Sequence, residues 1–147
     1  MTPAQMAALH AACFLRPPPW SEADFAGLLR QPGVFALTGG MGLALGRVVA
    51  DEAELLTLAV DPAARRQGLG GRLLTRFLDQ AAARGATTAF LEVAADNAPA
   101  LALYSRAGFA AMGRRRGYCR APGMAAVDAL VMARPLPAGP AASLIER

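Results

Sequence analysis

A glycine-rich segment constrains the fold of this chain more than any other feature. Residues 65–71 read R-R-Q-G-L-G-G and follow E-L-L-T-L-A-V at 54–60, a short apolar run typical of a buried strand. An amphipathic helix is predicted over 68–84 and ends at Gly85, and a second core strand is predicted over 87–94. A strand, a helix and a strand joined by a crossover of this length form a right-handed parallel unit. The chain therefore contains an α/β unit.

The sequence on either side of this unit predicts further helices and strands. Three prolines, at 17–19, separate two short helices, because proline cannot continue a helix. Ser21 and Asp24 form a capping-box pattern at the start of the second helix. In chain order, the other predicted elements are helices over 3–13 and 21–30, hairpin strands over 34–38 and 43–50, a turn at 51–52, a helix from the Asn97 cap to about 107, and strands after Phe109 and over 126–133.

Length and composition indicate one globular domain. The chain has 147 residues, which suits a single core, and we expect the domain to cover 1–134 with a poorly ordered Pro/Ala-rich tail over 135–147. No apolar stretch reaches the roughly 18 to 20 residues of a membrane-spanning helix, and the N-terminus lacks a signal-peptide pattern. Cys13 and Cys119 lie far apart without C-x-x-C spacing. We therefore expect a cytoplasmic protein with no membrane association, disulfide or metal.

The positive charge is concentrated after residue 60. The first 60 residues contain three Arg and five acidic residues, whereas the remainder contains twelve Arg and six acidic residues, and the chain has no Lys. A basic region of this kind suits either nucleic acid or a phosphorylated cofactor. The R-R-R run at 114–116 has only Tyr118 as a neighbouring aromatic for base stacking. We therefore expect no direct nucleic-acid binding.

The glycine-rich segment has the composition of a phosphate-binding loop. Glycine at 68 and 70 lets backbone N–H groups at a helix N-terminus approach an anion, and the helix dipole favours negative charge there. The segment is not a Walker loop, since no G-K-[ST] follows, and it lacks the G-x-G-x-x-G spacing of dinucleotide-binding folds. By itself it fits equally an ordinary glycine-rich connection with solvated arginines.

Three polar residues after this loop each admit a structural interpretation. Glu92 interrupts an apolar strand, where a carboxylate is costly unless it is paired or faces a wet cleft, and the residues alone favour an ion pair with an arginine. Tyr104 reads as a helix aromatic that packs on the sheet, and Asn97 as a helix N-cap. His10 and Cys119 are interpreted as a helix residue and a small strand residue, not as catalysts.

The order and spacing of four motifs resemble the GNAT superfamily of acetyl-CoA-dependent N-acetyltransferases. These motifs are E-L-L-T-L-A-V-D-P, R-R-Q-G-L-G, L-E-V-x-x-x-N and A-L-Y-x-x-x-G-F, within Ala53 to Met132. The H-A-x-x-F and P-W-S-E motifs at 10–22, R-R-G-Y at 115–118 and Asp128 resemble the bacterial RimI-like ribosomal-protein alanine N-acetyltransferases. The resemblance implies a GNAT-type α/β fold. Its mixed, mostly antiparallel sheet would be flanked by helices and splayed between the 54–60 and 87–94 strands.

The resemblance also implies a role for individual residues. It assigns the general base to Glu92 and the proton donor for the leaving thiolate to Tyr104. The residues that it implies for acetyl-CoA binding are Leu58, Ala59, Val60, Arg65, Arg66, Gln67, Gly68, Leu69, Gly70, Asn97 and Tyr104. Those implied for the acceptor are Trp20, Tyr118 and Asp128. Direct attack by an amine in a ternary complex needs neither a metal nor a covalent enzyme intermediate.

The implied partners are acetyl-CoA and the N-terminal peptide of a ribosomal protein, with the enzyme a monomer or weak dimer. Two departures, Cys119 in place of a second aromatic after Tyr118 and Val127 in place of an acid, lie in the acceptor half. The alternatives are therefore a GNAT that acetylates a lysine, an aminoglycoside or a small metabolite amine, and a non-catalytic CoA-binding module. The presence of both Glu92 and Tyr104 argues against the non-catalytic module.

Overall fold

The computed structural model describes residues 1–14, 19–65, 67–119, 123 and 125–137. Within them the elements are α1 Pro3–Cys13, α2 Glu22–Leu29, β1 Val34–Gly39, β2 Gly42–Val49, β3 Glu52–Val60, a 3-10 turn Pro62–Ala64, α3 Leu69–Ala83, β4 Thr88–Ala94, α4 Ala98–Arg106, β5 Ala110–Cys119 and β6 Val127–Pro135. The predicted helices and strands are confirmed in type and order. The capping box at Ser21 and the N-cap at Asn97 are confirmed as well.

The start of β3 differs from the prediction. The strand begins at Glu52, not Glu54, so the turn before it includes Ala50 and Asp51, and the predicted turn at Asp51 and Glu52 was wrong. Ala50 has a φ of 54°, a left-handed conformation that residues other than glycine rarely adopt. The Asp51 carbonyl accepts a 2.7 Å hydrogen bond from the Thr87 N–H, which joins this turn to the chain entering β4.

The sheet is splayed at its centre, as predicted. Its six strands lie in the order β1-β2-β3-β4-β6-β5, and the β3–β4 pair is parallel while the others are antiparallel. The parallel pairing extends only from Glu52 opposite Thr88 to Glu54 opposite Phe90. Beyond Glu54 the two strands separate, so a gap opens between two halves of the sheet.

A bulge in β3 lies next to the point of separation. The register with β2 shifts between Leu45 and Gly46, which face Thr57 and Leu55 and leave Leu56 without an opposite residue. Leu56 packs in the cluster that contains α1 and α2 side chains, and Thr57 bonds to His10 of α1, so two consecutive residues face the same side. Bulges bend a strand and increase its local twist, and this one accounts for the divergence of β3 from β4.

The two faces of the sheet carry separate cores. The larger cluster joins β-strand side chains to Leu73, Leu74 and Phe77 of α3 and Tyr104 of α4. The smaller cluster packs side chains of α1 and α2 on the opposite face, around the fully buried Phe25. The gap in the sheet therefore opens toward a pair of helices on each face.

The C-terminal strand extends beyond the domain boundary expected at residue 134. Pro135 is paired with Thr88, and the buried Leu136 donates its backbone N–H to the Thr87 carbonyl at 2.8 Å. The tail expected to be poorly ordered is for the most part, at 138–147, outside the described residues. Among the described helices, none has the length and apolar character needed to cross a membrane.

Candidate active site

A cavity of about 720 Å³ occupies the gap between β3 and β4. Most of the residues that the resemblance implies for the site line it, namely Trp20, Leu58, Ala59, Val60, Arg65, Gly68, Leu69, Gly70, Glu92, Asn97 and Tyr104. The cavity thus brings together residues from both halves of the sheet, from α3 and α4, and from the segment between α1 and α2. No single stretch of sequence contains them.

The start of α3 forms one end of the cavity. Gly68, with a φ of 75°, is the N-cap and supplies no side-chain hydrogen bond to the first turn, which also contains no acidic residue. A Cβ added at Gly70 would lie 3.6 Å from Leu103 Cδ2 and 3.8 Å from Val60 Cγ2, so the backbone there is open. Peptide N–H groups and the positive end of the helix dipole therefore face the cavity, as an anion requires.

The free edge of β3 lines the length of the cavity. The Val60 carbonyl accepts hydrogen bonds from Cys13 Sγ at 3.2 Å and from Arg65 Nε at 3.3 Å, so it points away from β2. In an antiparallel pair, peptide groups two residues apart point to the same side, and the Leu58 N–H and carbonyl therefore face the gap as well. Burial raises the pKa of the Cys13 thiol, so this group stays protonated as a donor near neutral pH.

Helix α4 supplies Tyr104 and Asn97 on the face that α3 also covers. The Tyr104 ring packs edge-on against Phe109 at 6.0 Å, and its hydroxyl has no hydrogen-bond partner among the described residues. Burial raises the pKa of Tyr104 to about 12, so the phenol holds its proton at neutral pH. Asn97 Oδ1 caps α4 through the Ala100 N–H at 3.3 Å while Asn97 also lines the cavity.

Glu92 lies on the opposite face of the sheet from Tyr104. Its neighbours Leu91 and Val93 are buried in the cluster with α3 and α4, so the alternation along β4 directs Glu92 toward the α1 and α2 side. Glu92 Oε1 forms a 3.0 Å ion pair with Arg115 of β5. The ion pair favoured by the residues alone is therefore present, and the same carboxylate lines the cavity.

A buried histidine of α1 joins Trp20 to β3. The backbone N–H of Trp20 donates to His10 Nδ1 at 3.0 Å, so Nε2 carries the proton and donates to Thr57 Oγ1 at 3.0 Å. The imidazole stacks between Phe14 at 4.4 Å and Trp20 at 4.9 Å. Burial lowers the pKa of His10 to about 4, which keeps the ring neutral. Sequence reasoning missed this role, and its only signal was a lone histidine in an apolar helix.

Some residues implied for the site do not line this cavity. Gln67 lines a smaller neighbouring cavity, Arg66 is outside the described residues, and the Cys119 side chain is not described. Tyr118 is 56% exposed on β5 beyond the cavity. Asp128 accepts hydrogen bonds from Arg114 at 2.8 Å and from the Gly117 N–H at 2.9 Å, and these bonds lower the pKa of its carboxyl. The carboxylate of Asp128 thus fixes the part of β5 that carries Tyr118.

The cavity connects the two faces of the sheet. A carboxylate and a phenol that retains its proton lie on opposite sides of the β3 edge that faces the gap. Such an arrangement can accept a proton from a nucleophile on one side and donate a proton to a leaving group on the other. No cluster of three or more His, Cys, Asp or Glu side chains suited to a metal ion occurs in the described part of the chain.

Comparison with known proteins, by sequence and by structure, identifies acetyltransferases of one family. The profile of the acetyltransferase (GNAT) family matches residues 6–109. The ribosomal protein bS18-alanine N-acetyltransferase of Escherichia coli K12 is 45% identical over 123 residues, covering 80% of this chain and 82% of that protein. The N-alpha-acetyltransferase RimI of Mycobacterium tuberculosis is 42% identical over 137 residues, covering 87% and 83%. The crystal structure of the ribosomal-protein-S18-alanine N-acetyltransferase from Escherichia coli superposes with a TM-score of 0.80 and 36% identity, covering 92% and 89% of the chains.

Proposed function

This chain belongs to the acetyltransferase (GNAT) family, and we propose that it transfers the acetyl group of acetyl-CoA to the N-terminal alanine α-amine of ribosomal protein bS18. The observation that carries this proposal is the cavity in the sheet gap, where Glu92 and Tyr104 lie on opposite sides of the free β3 edge. The similarity to enzymes named for that acceptor, over most of both chains, supports the choice of substrate.

The cavity suits acetyl-CoA in size and in chemistry. A narrow gap with an anion-binding end fits an extended arm that carries a pyrophosphate. The open backbone at Gly70 and the uncapped first turn of α3 would hold the pyrophosphate, with Arg65 beside them. The Leu58 N–H and carbonyl and the Val60 N–H would pair with the amides of the pantetheine arm, because the Val60 carbonyl already accepts from Cys13 and Arg65. Asn97 would contact the cofactor while it caps α4.

The proposed reaction needs one base, one acid and one carbonyl-polarising group. Acetyl-CoA supplies a thioester whose carbonyl carbon forms the new bond to the amine nitrogen. Glu92 accepts the proton that the amine loses, directly or through water, and a backbone N–H of β3 polarises the carbonyl oxygen. As the carbon–sulfur bond breaks, Tyr104 gives its proton to the departing sulfur, so CoA leaves as a thiol. The Tyr104 phenolate, whose pKa burial raises to about 12, then regains a proton from solvent, and Glu92 releases to solvent the proton that it accepted.

A peptide α-amine needs only a weak general base. Its pKa is about 7.7 to 8.0, so a useful fraction is neutral near pH 7, whereas a lysine amine with a pKa of about 10.4 is almost entirely charged. A carboxylate acting through water is therefore sufficient for an N-terminus. A lysine would need a stronger base or a device that lowers the pKa of its amine.

Mass spectrometry of an acceptor panel tests the proposal. The purified protein is incubated with acetyl-CoA and three peptides: the bS18 N-terminal sequence, the same peptide with a blocked α-amine, and a peptide whose sole amine is a lysine. We expect one acetyl group on the unblocked bS18 peptide and none on the other two. If the lysine peptide is acetylated and the bS18 peptide is not, the proposed acceptor is overturned. The GNAT family membership is unaffected by that result.

The variant Glu92→Gln tests the proposed base with the same peptide. We expect its turnover to fall by roughly 100-fold at pH 7, in the usual range for loss of a general base. The loss of turnover relative to the wild type should become smaller as the pH rises above the pKa of the α-amine, because a neutral amine depends less on a base. A deficit below about tenfold that does not change with pH would contradict the assignment of Glu92.

A further inference from the structure

We propose that Arg115 is a positioning residue that orients Glu92 and couples it to Tyr118, an inference that rests on the proposed role of Glu92 as base. Arg115 Nη2 lies 3.0 Å from Glu92 Oε1. The Arg115 guanidinium carbon also lies 5.1 Å from the centroid of the Tyr118 ring. One side chain therefore contacts both the carboxylate in the cavity and the exposed aromatic beyond it.

The register of the sheet explains how this contact spans two strands. Arg115 is opposite Ala129 of β6, and Ala129 is opposite Ala94 of β4, so the three residues share one face. Glu92 precedes Ala94 by two residues and projects from the same face. Ala94 and Ala129 are buried and small, so the Arg115 side chain can pass over β6 to reach Glu92.

The ion pair between Arg115 and Glu92 contributes little to the stability of the fold, because the Arg115 side chain is 54% exposed. The consequence is geometric, because Oε1 is fixed by Arg115 and the other carboxylate oxygen has no protein partner among the described residues. That second oxygen is left available for the amine or for a water that relays its proton.

The contact with Tyr118 would link the base to the acceptor, if the acceptor lies beside Tyr118 as the family resemblance implies. Tyr118 is held on β5 by the Asp128 carboxylate, which accepts from the adjacent Gly117 N–H. A planar guanidinium is suited to pairing with a carboxylate while it lies over an aromatic ring. An acceptor that orders Tyr118 would therefore also order Arg115, and through it Glu92. Arg115 itself need not touch the reacting atoms.

Steady-state kinetics of Arg115→Met and Arg115→Lys test this proposal, with Arg116→Met as the matched control. Arg116 is the neighbouring exposed arginine on the same strand; its charge helps to lower the pKa of the Asp128 carboxyl, but within the described residues it pairs with neither Glu92 nor Tyr118. We expect Arg115→Met to lower kcat about tenfold or more and to leave the KM for acetyl-CoA within about twofold. Arg115→Lys should recover part of kcat, because it keeps the charge without the planar fork. Arg116→Met should match the wild type.

A double-mutant cycle with Glu92→Gln separates positioning from an independent effect. If Arg115 acts through Glu92, Arg115→Met should lower kcat less than about threefold further in the Glu92→Gln background. Multiplicative losses, or equal kcat for Arg115→Met and Arg116→Met, would overturn the proposal. The cycle is run on whichever amine the wild type acetylates, so failure of the bS18 acceptor and failure of the Arg115 role give different results.

Discussion

At the scale of single residues, Tyr104 is a site where one oxygen atom can be removed with little change in packing. Its ring lies edge-on to Phe109 and is buried in the larger core cluster, and Tyr104→Phe retains those contacts. We expect this variant to lower kcat by roughly 100-fold, the usual contribution of a general acid, while the acetyl-CoA dissociation constant changes less than about twofold. Calorimetric titration and turnover assays on the same preparation measure both quantities. Parallel loss of affinity and rate would make Tyr104 a structural residue.

His10 determines a pH dependence of stability. Its pKa is about 4 in the folded protein against 6.5 for an unperturbed histidine, so between these values the unfolded chain binds more protons than the folded one. The stability that the neutral ring provides is therefore complete above about pH 6.5 and is lost as the pH falls toward 4. We expect a loss of about 1 to 2 kcal/mol between pH 6.5 and pH 4.5 from this group.

The variant His10→Gln isolates this contribution, because all other titrating groups remain. Urea unfolding at pH 7, 5.5 and 4.5 gives the free energy of unfolding of both proteins. The wild type should lose more of its unfolding free energy than the variant over that window, whatever the offset between them at pH 7. Parallel curves would show that burial of His10 does not control its protonation.

At the scale of an element, the first turn of α3 carries the end of the cavity that we propose binds the pyrophosphate. A Cβ at Gly70 meets Leu103 and Val60 only at ordinary contact distances, so Gly70→Ala and Gly70→Glu should both fold. We expect Gly70→Glu to abolish acetyl-CoA binding, because its carboxylate occupies and repels the pyrophosphate position, and Gly70→Ala to retain most of the affinity. Calorimetric titration of both variants decides this. Unchanged affinity in Gly70→Glu would place the phosphates elsewhere.

The sequence could predict the elements that have a local start signal, but not the boundaries and contacts that depend on the assembled sheet. Local signals located α2 through its Ser21 capping box and α3 through its glycine-rich start. The start of β3 was placed wrongly because its turn uses Ala50 at a positive φ, which no sequence preference indicates. The bond from Thr87 to Asp51 joins residues 36 positions apart and depends on the assembled sheet.

The candidate site was predictable in its residue types and less so in its contacts. The family resemblance assigned Glu92 and Tyr104 to the site, and both line the cavity. The arginine paired with Glu92 could not be identified among fifteen, because the choice depends on the β4–β6–β5 register and on the small side chain of Ala129. The His10 contact with Trp20 likewise depends on where Trp20, which precedes α2, lies relative to α1, and no local pattern specifies that position.

At the scale of the whole molecule, the gap divides the sheet into two halves that share only three residue pairs of β3 and β4. Acetyl-CoA in the gap would contact β3 and the start of α3 on one side and α4 on the other, so binding should stabilise the two halves together. A ligand that binds only the folded state adds about 2.7 kcal/mol at 100 times its dissociation constant. For a chain of this length we expect the unfolding midpoint to rise by roughly 5 to 10 °C.

Thermal unfolding of the wild type and of Gly70→Glu, each with and without saturating acetyl-CoA, measures this coupling. The wild type should shift and Gly70→Glu should not, because the variant loses the anion-binding end while keeping its fold. ATP at the same concentration is the control, since it has phosphates and adenine but no pantetheine arm to pair with the Leu58 and Val60 peptide groups. An equal shift with ATP would mean that the phosphates alone account for the stabilisation. An equal shift in Gly70→Glu would remove the start of α3 from the cofactor site.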